Sequence, residues 1–255
     1  MHPVLLRFEW AGQPCALGSY GLCLALAIVL GAALALRAAV KQRLDAGAVI
    51  ASLASAVGGG FLGAYLLFAA VGCMRGLPLS AALARPGIVF YGGAFGALLG
   101  FYASARWLSL PRLVALDAFT PALPLAHALG RIGCFLGGCC YGAPSHSRFA
   151  VVYRDPLAPA SHPLLARHPW PLYEAAALLV LSLVLSRWPA RTLGDGRRFA
   201  SYVAGYALLR MCLEPLRGDV VRGVLLHGLL STSQLCAALT LLMALAFARG
   251  RQQCT

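Results

Sequence analysis

Four stretches of this chain, residues 11–36, 46–72, 87–105 and 223–248, contain no Asp, Glu, Lys or Arg. Each reaches or exceeds the roughly 18–20 residues that a helix needs to cross a bilayer. Ten-residue segments of alternating polarity, the mark of a membrane β-barrel, are absent. Reading the weaker apolar runs as well gives seven candidate spans, near 15–36, 47–72, 87–106, 112–130, 170–187, 199–216 and 229–248. The fourth holds Asp117, Pro121, Pro124 and His127, so it is expected to be broken or to line a cavity, where irregular backbone is tolerated at membrane depth. The fifth is short unless Pro171–Glu174 enters the membrane. The expected fold is all-α and polytopic, a single domain over 1–255 with about seven transmembrane helices. The long polar stretch 131–170 is its one sizeable loop region, with Val151–Arg154 as a possible short strand. No internal repeat is visible.

Composition agrees with the pattern. Of 255 residues, 60% are apolar and 11% charged, and mean hydropathy is +0.77. A soluble domain carries roughly 25% charged residues. The formal charge is +13, and Lys41 is the single lysine. In a soluble protein that excess of arginine would point to nucleic acid. Here the arginines flank apolar runs, which points to membrane lipid, anionic lipid above all, and away from nucleic acid. Seven spans put the termini on opposite sides. Eleven Lys and Arg fall on the side of the C-terminus and nine on the other, so the positive-inside rule places the N-terminus outside, the C-terminus in the cytoplasm and 131–170 on the outer face. Arg7 and Glu9 precede a span too long for a signal-peptide core, so no cleaved leader is expected. The nine cysteines make no disulfide framework. Cys15, Cys23, Cys212 and Cys236 lie in apolar runs and read as small core hydrophobes.

The candidate chemistry is concentrated in a few segments. Residues 129–142, LGRIGCFLGGCCYG, put Arg131 among five glycines and three cysteines between apolar tracts. A guanidinium there reads either as an interfacial anchor or as a binder of phosphate. Arg210 lies inside YALLRMCLE, where a cation is expensive unless paired. Glu214 follows at i+4 and can pair with it, and Arg217 and Asp219 can extend that network. His127 reads as structural first and as a general base second. Tyr91 opens YGG (91–93) and reads as an interfacial aromatic or, with its pKa lowered by cations, a base. Gly92 and Gly93 permit close helix packing. Glu174, in HPWPLYE (168–174), reads as a first-turn acid of the fifth span or as a partner for an arginine. Cys134, Cys139 and Cys140, with His127, His146, His162 and His168 nearby, allow a thiolate–imidazole metal site, a bridge between two thiols, or plain small-residue packing.

Taken in order, these segments resemble the bacterial phosphatidylglycerol–prolipoprotein diacylglyceryl transferase family over residues 15–248. The family signature is similar to G-R-x-G-N-F-x-N-G-E-x-x-G, and GRIGCFLGGCCYG (130–142) keeps its glycines, Arg131 and Phe135. HPWPLYE, GYALLRMCLEPLRGD (205–219) and STSQ (231–234) match three further elements. The resemblance implies transfer of a diacylglyceryl group from phosphatidylglycerol to the lipobox cysteine in the signal peptide of a prolipoprotein. A thioether forms and glycerol phosphate leaves, without a cofactor or metal, at the bacterial inner membrane, from helices that leave an opening for lipid. It implies catalytic roles for Arg131 and Arg210 on the phosphate and for Tyr91, which stands where the family has histidine. Substrate-binding roles would fall to Gly92, Gly93, Gly133, Cys134, Gly138, Cys139, Gly142, Tyr173, Glu174, Tyr206, Glu214 and Arg217. Cys134 and Gly137 replace the signature asparagines and Cys139 its acid. A redirected or non-catalytic lipid-binding relative with a thiol or metal site is the alternative. A small-molecule transporter is less consistent with the lack of repeat symmetry.

Overall fold

A computed structural model describes residues 2–10, 12–84, 87, 89–161, 163–189, 194–218, 224–225 and 230–252. His162 and Asp219 lie outside the described residues. The chain is mostly helical and divides into two compact units, residues 1–33 with 120–255, and residues 34–119.

The first unit opens with an antiparallel hairpin of β1 (Val4–Trp10) and β2 (Gln13–Gly18), with Arg7 facing Ala16 and Phe8 facing Cys15. The first span therefore starts at Ser19 rather than near residue 15, as α1 (Ser19–Lys41). Uncharged residues 13–18 extend the apolar run, but their backbone is spent on strand pairing.

The second unit contains α2 (Ala46–Met74), α3 (Leu79–Ala84), α4 (Phe90–Trp107) and α5 (Arg112–Phe119). Asp45 caps α2 by accepting from the Ala48 N–H at 2.6 Å, relieving one of the donors a helix start leaves unpaired. α2 and α4 pack through glycine. Gly59 and Gly63 on one helix meet Gly92, Gly96 and Gly100 on the other, all spaced four apart along their helices. A Cβ on Gly96 would run into the Gly59 carbonyl, one on Gly63 into that of Gly92, and one on Gly100 into that of Ser55. Only hydrogen at these positions lets two helices approach so closely, which is how apolar helices associate where the hydrophobic effect does not drive them together. The buried Ser52 hydroxyl lies 3.3 Å from that of Ser104 and pins the same seam.

In the first unit, α6 (Ala122–Gly137) packs on α7 (Trp170–Ser186), α7 on α8 (Arg197–Leu213), and α8 on α9 (Thr232–Gln252). Ala128, Ala175 and Leu178 form the buried centre of the first of these contacts, with Ile132 and Tyr206 against them. Ser182 donates to the Pro121 carbonyl at 2.7 Å. Arg198 donates through Nε to the Leu185 carbonyl at 2.9 Å, closing the end of α7, where orphan carbonyls favour a cation. Short strands β3 (Val151–Val152) and β4 (Ala166–Arg167) pair in the loop between α6 and α7, as β5 (Val224–Leu225) and β6 (Leu230–Ser231) do before α9.

α1, α2 and residues Ser233–Gly250 of α9 are long and apolar enough to cross a membrane, and α5 with α6 counts as a fourth, broken span. The break at Thr120–Pro121 falls where the prolines of the fourth apolar run predicted one. α6 continues well past residue 130, so Arg131 lies inside the helix and the following connection begins at Gly138 rather than at 131. Large side chains such as Val29, Leu62, Val180 and Leu242 point outward, each more than half exposed, as suits helices whose outer face meets lipid.

Candidate functional site

The first unit gathers the charged residues of three separate motifs. Glu174 is 1% exposed on the inner face of α7. Its Oε2 lies 2.9 Å from Arg131 Nε, close enough for an ion pair but not aligned as a linear hydrogen bond. The Tyr206 hydroxyl donates to Glu174 Oε1 at 3.1 Å, and His127 Nε2 stands 4.0 Å from the same oxygen. The His127 ring also leans on Tyr206, centroids 4.9 Å apart. Glu174 lies beyond the first turn of α7, so the arginine-partner reading fits it and the capping one does not. On α8, Arg210 Nη2 meets Glu214 Oε2 at 3.0 Å, the i, i+4 pair its spacing suggested. Glu214 also accepts from the Ser231 hydroxyl at 2.7 Å. Ser231 in turn accepts from the Gln234 N–H, while the Gln234 side chain accepts from the Ser231 N–H. That reciprocal pair is a capping box at the start of α9, so the STSQ segment both starts a helix and braces a carboxylate.

Trp170 ties the two ion pairs together. Its indole is fully buried and donates to the Leu213 carbonyl at 2.7 Å. The guanidinium carbons of Arg131, Arg210 and Arg217 lie 5.4, 5.1 and 4.7 Å from its ring centre. An indole face attracts cations through its quadrupole, which lets three like charges share one small volume. Arg210 Nη1 is buried with no hydrogen-bond partner among the described residues. Sequence reading passed over Trp170, although a tryptophan inside a motif that must face arginines was the available signal.

Backbone hydrogen bonds stitch the motifs to each other. Gly142 N–H donates to His168 O at 3.1 Å, His168 N–H to Ala143 O at 3.0 Å, Ala143 N–H to Leu216 O at 2.9 Å and Gly218 N–H to Tyr141 O at 3.0 Å. A Cβ on Gly142 would strike the His168 carbonyl, so glycine is what allows this three-way seam. Gly133 serves packing too, since its missing Cβ makes room for Cys23 and Tyr20 of α1. The Tyr173 hydroxyl lies 3.3 Å from His168 Nδ1. Tyr91, Gly92 and Gly93 belong to the second unit. Gly92 is buried against Gly63, Gly93 lies against Ala64 and Gly60, and Tyr91 is 45% exposed with its ring edge-on to Phe90.

The three cysteines come together at the end of α6. Gly138, at φ +69°, donates its N–H to Phe135 O at 3.2 Å, and Cys139 donates to Cys134 O at 3.0 Å. This is a Schellman ending, which needs a left-handed residue and so favours glycine. A Cβ at Gly138 would also collide with Ala158. The reversal returns Cys139 and Cys140 over Cys134, and all three sulfurs lie within 4.8 Å of one another. Contact with Cys134 and with Cys140 pushes the Cys139 thiol up. Cys140 is pulled down, first by hydrogen bonding with Cys134 and Cys139 and then by Arg131 and Arg217. None of His127, His146 and His168 joins that sulfur group. Near it, burial pushes the Tyr153 phenol up to about 12. Its hydroxyl has no hydrogen-bond partner among the described residues.

Apolar helices enclosing ion pairs from three of their number define a multi-pass helical membrane protein with a charged interior site. Its wider kinship is equally definite. A family model described as prolipoprotein diacylglyceryl transferase matches residues 7–249. The chain is 31% identical over 248 residues to a phosphatidylglycerol–prolipoprotein diacylglyceryl transferase of Clostridium tetani, covering 96% of both chains. It is 31% identical over 231 residues to one from Parasynechococcus marenigrum, covering 85% of this chain and 80% of the relative. It is 36% identical over 149 residues to transferase 2 of Clostridium perfringens, covering 58% and 56%. The chain belongs to the prolipoprotein diacylglyceryl transferase family.

Proposed function

We propose that this protein transfers the diacylglyceryl group of phosphatidylglycerol to the lipobox cysteine thiol of prolipoproteins. The observation that carries the reading is the pair of enclosed arginines, Arg210 buried and Arg131 nearly so, each held by its own carboxylate, with Arg210 Nη1 buried and unpartnered among the described residues. A guanidinium so held presents fixed donors to an anion and need not reorganise when charge develops on a leaving group. In the proposed reaction the acceptor thiol loses its proton and its sulfur forms a bond to the terminal glycerol carbon of the diacylglyceryl group. The carbon–oxygen bond to phosphate breaks, and its electron pair leaves with glycerol phosphate. Arg131 and Arg210 bind the phosphate, Glu174 and Glu214 position them, and Tyr206 and Ser231 fix the carboxylates. Tyr91 orients or deprotonates the thiol. Tyr173, Arg217 and the signature residues Gly133, Cys134, Gly138, Cys139 and Gly142 shape the same region, with Gly92 and Gly93 beside Tyr91. The protein sits in the bacterial inner membrane with seven spans around a cavity open to lipid, its N-terminus outside and its C-terminus in the cytoplasm.

The test is product formation. Purified protein, phosphatidylglycerol vesicles and a lipobox peptide are expected to yield the thioether-linked peptide by mass spectrometry, and Arg131→Ala and Arg210→Ala to abolish it. Absence of product, under conditions where the Clostridium tetani relative gives it, rules the activity out. Retention of activity in Arg131→Ala removes the arginine role, and full activity in Tyr91→Phe removes the role of the Tyr91 hydroxyl.

A further inference from the structure

The transferase reading uses Cys134 and Cys139 only to shape its site and gives the grouped sulfurs no chemistry of their own. We propose that Cys134, Cys139 and Cys140 form a three-thiolate site for a soft monovalent cation of the copper(I) kind. The sulfurs lie within 4.8 Å of one another, close to the separation that ligands of one metal ion require at metal–sulfur distances of roughly 2.3 Å. The backbone, rather than chance side-chain placement, brings them together. The glycine reversal after α6 sets Cys139 over Cys134, and Cys140 is held at φ +53°, a conformation a cysteine seldom adopts. The next two residues are locked by hydrogen bonds from Gly218 to Tyr141 and from Gly142 to His168. The sulfurs are thus preorganised on a rigid helix end, and Cys139 and Cys140, being only partly buried, leave a way in.

Donor type and number choose the ion. Thiolates favour copper(I) and zinc over harder cations. Structural zinc sites are almost always four-coordinate, whereas this group stops at three ligands among the described residues. The nearby His168 is already beside the Tyr173 hydroxyl. Copper(I) accepts three sulfurs. One cation with three thiolates carries two negative charges, and two arginines stand near to offset them. Arg131 precedes Cys134 by one helical turn, and Arg217 is backbone-paired with Gly142. On binding, three thiol protons pass to solvent and no electron changes hands.

The test uses the full-length protein in detergent under anaerobic reducing conditions. Copper(I) is titrated against a chromophoric chelator, with zinc(II) in a parallel arm. One equivalent of copper(I) is expected, with X-ray absorption showing three sulfur neighbours and no nitrogen. Cys139→Ser and Cys140→Ser are expected to weaken binding by about a hundredfold or more, since loss of a ligand exceeds the 10–100-fold effect of losing a ligand's outer partner, while Cys212→Ser leaves it unchanged. A variant-free measurement guards against misfolding: copper(I) should protect Cys134, Cys139 and Cys140 together from alkylation, and not Cys212. Binding equal to that of the Cys212→Ser and Cys139→Ser variants alike, preference for zinc with a fourth ligand, or protection of other cysteines instead would each overturn the proposal. Thioether formation by the copper-free protein is read separately, so failure of either idea leaves the other standing.

Discussion

Replacing Glu174 with glutamine isolates what the buried pair contributes. The side chain is 1% exposed and its partner Arg131 12%. Glutamine keeps the volume and an acceptor for the Tyr206 hydroxyl, so the change is one of charge. It leaves Arg131 facing the guanidiniums of Arg210 and Arg217 around Trp170 without the carboxylate that offsets them. Removing one partner of a buried pair costs about 3–5 kcal/mol, because the other charge is stranded. Arg131→Met, which keeps most of the apolar stem, should cost about as much by stranding Glu174. The double variant strands neither. It should therefore be more stable than the sum of the single losses predicts, by up to about 3 kcal/mol, the upper range of measured pair couplings. Unfolding in mixed micelles, followed by helical circular dichroism with all four proteins in one lipid background, reads that cycle. Losses that add within about 0.5 kcal/mol, the tolerance for independent sites, would refute the view that these residues stabilise each other.

Gly96→Ala should destabilise the protein by about 1–3 kcal/mol, the cost of overpacking a tight contact, even though alanine is the better helix former, because its Cβ would enter the Gly59 carbonyl; thermal denaturation in detergent beside a Gly21→Ala control, where nothing lies within 4 Å of the added carbon, checks the sign. Tyr153 should make stability fall with alkaline pH: its phenol is raised to about 12 from an ordinary 10.0, so above pH 10 the unfolded chain loses this proton first and unfolding is favoured until about pH 12. Tyr153→Phe should remove that slope at no cost at neutral pH, since its buried hydroxyl has no hydrogen-bond partner among the described residues; a loss of stability at pH 7 would contradict this.

Local spacing was readable in the sequence and distant pairing was not. The i, i+4 relation of Arg210 and Glu214 is a property of one helix, so it could be read before any fold was known. The Arg131–Glu174 contact joins α6 to α7 across a long loop, and no periodicity announces it. The N-terminal hairpin went unread because its second strand is uncharged and merges with the apolar run of α1, although Leu6, Phe8 and Trp10 alternate with Arg7 and Glu9. Prolines announced the break before α6, while the glycines around Arg131 obscured how far that helix continues. The grouping of the three cysteines depended on two left-handed residues, Gly138 and Cys140, whose conformations the spacing does not determine.

The backbone seam among Tyr141–Ala143, His168 and Leu216–Gly218 has a consequence for what can vary. Between its arms the chain leaves at Pro144 and returns at Arg167, and these two residues are themselves bridged. A segment whose ends are clamped side by side can change length with only a slowly growing entropic penalty. Between residues 145 and 166 the exposed turns are thus free to change length, while Tyr153, Ala158 and Ala160, buried against Phe135 and Tyr141, tie the middle of the segment to the end of α6.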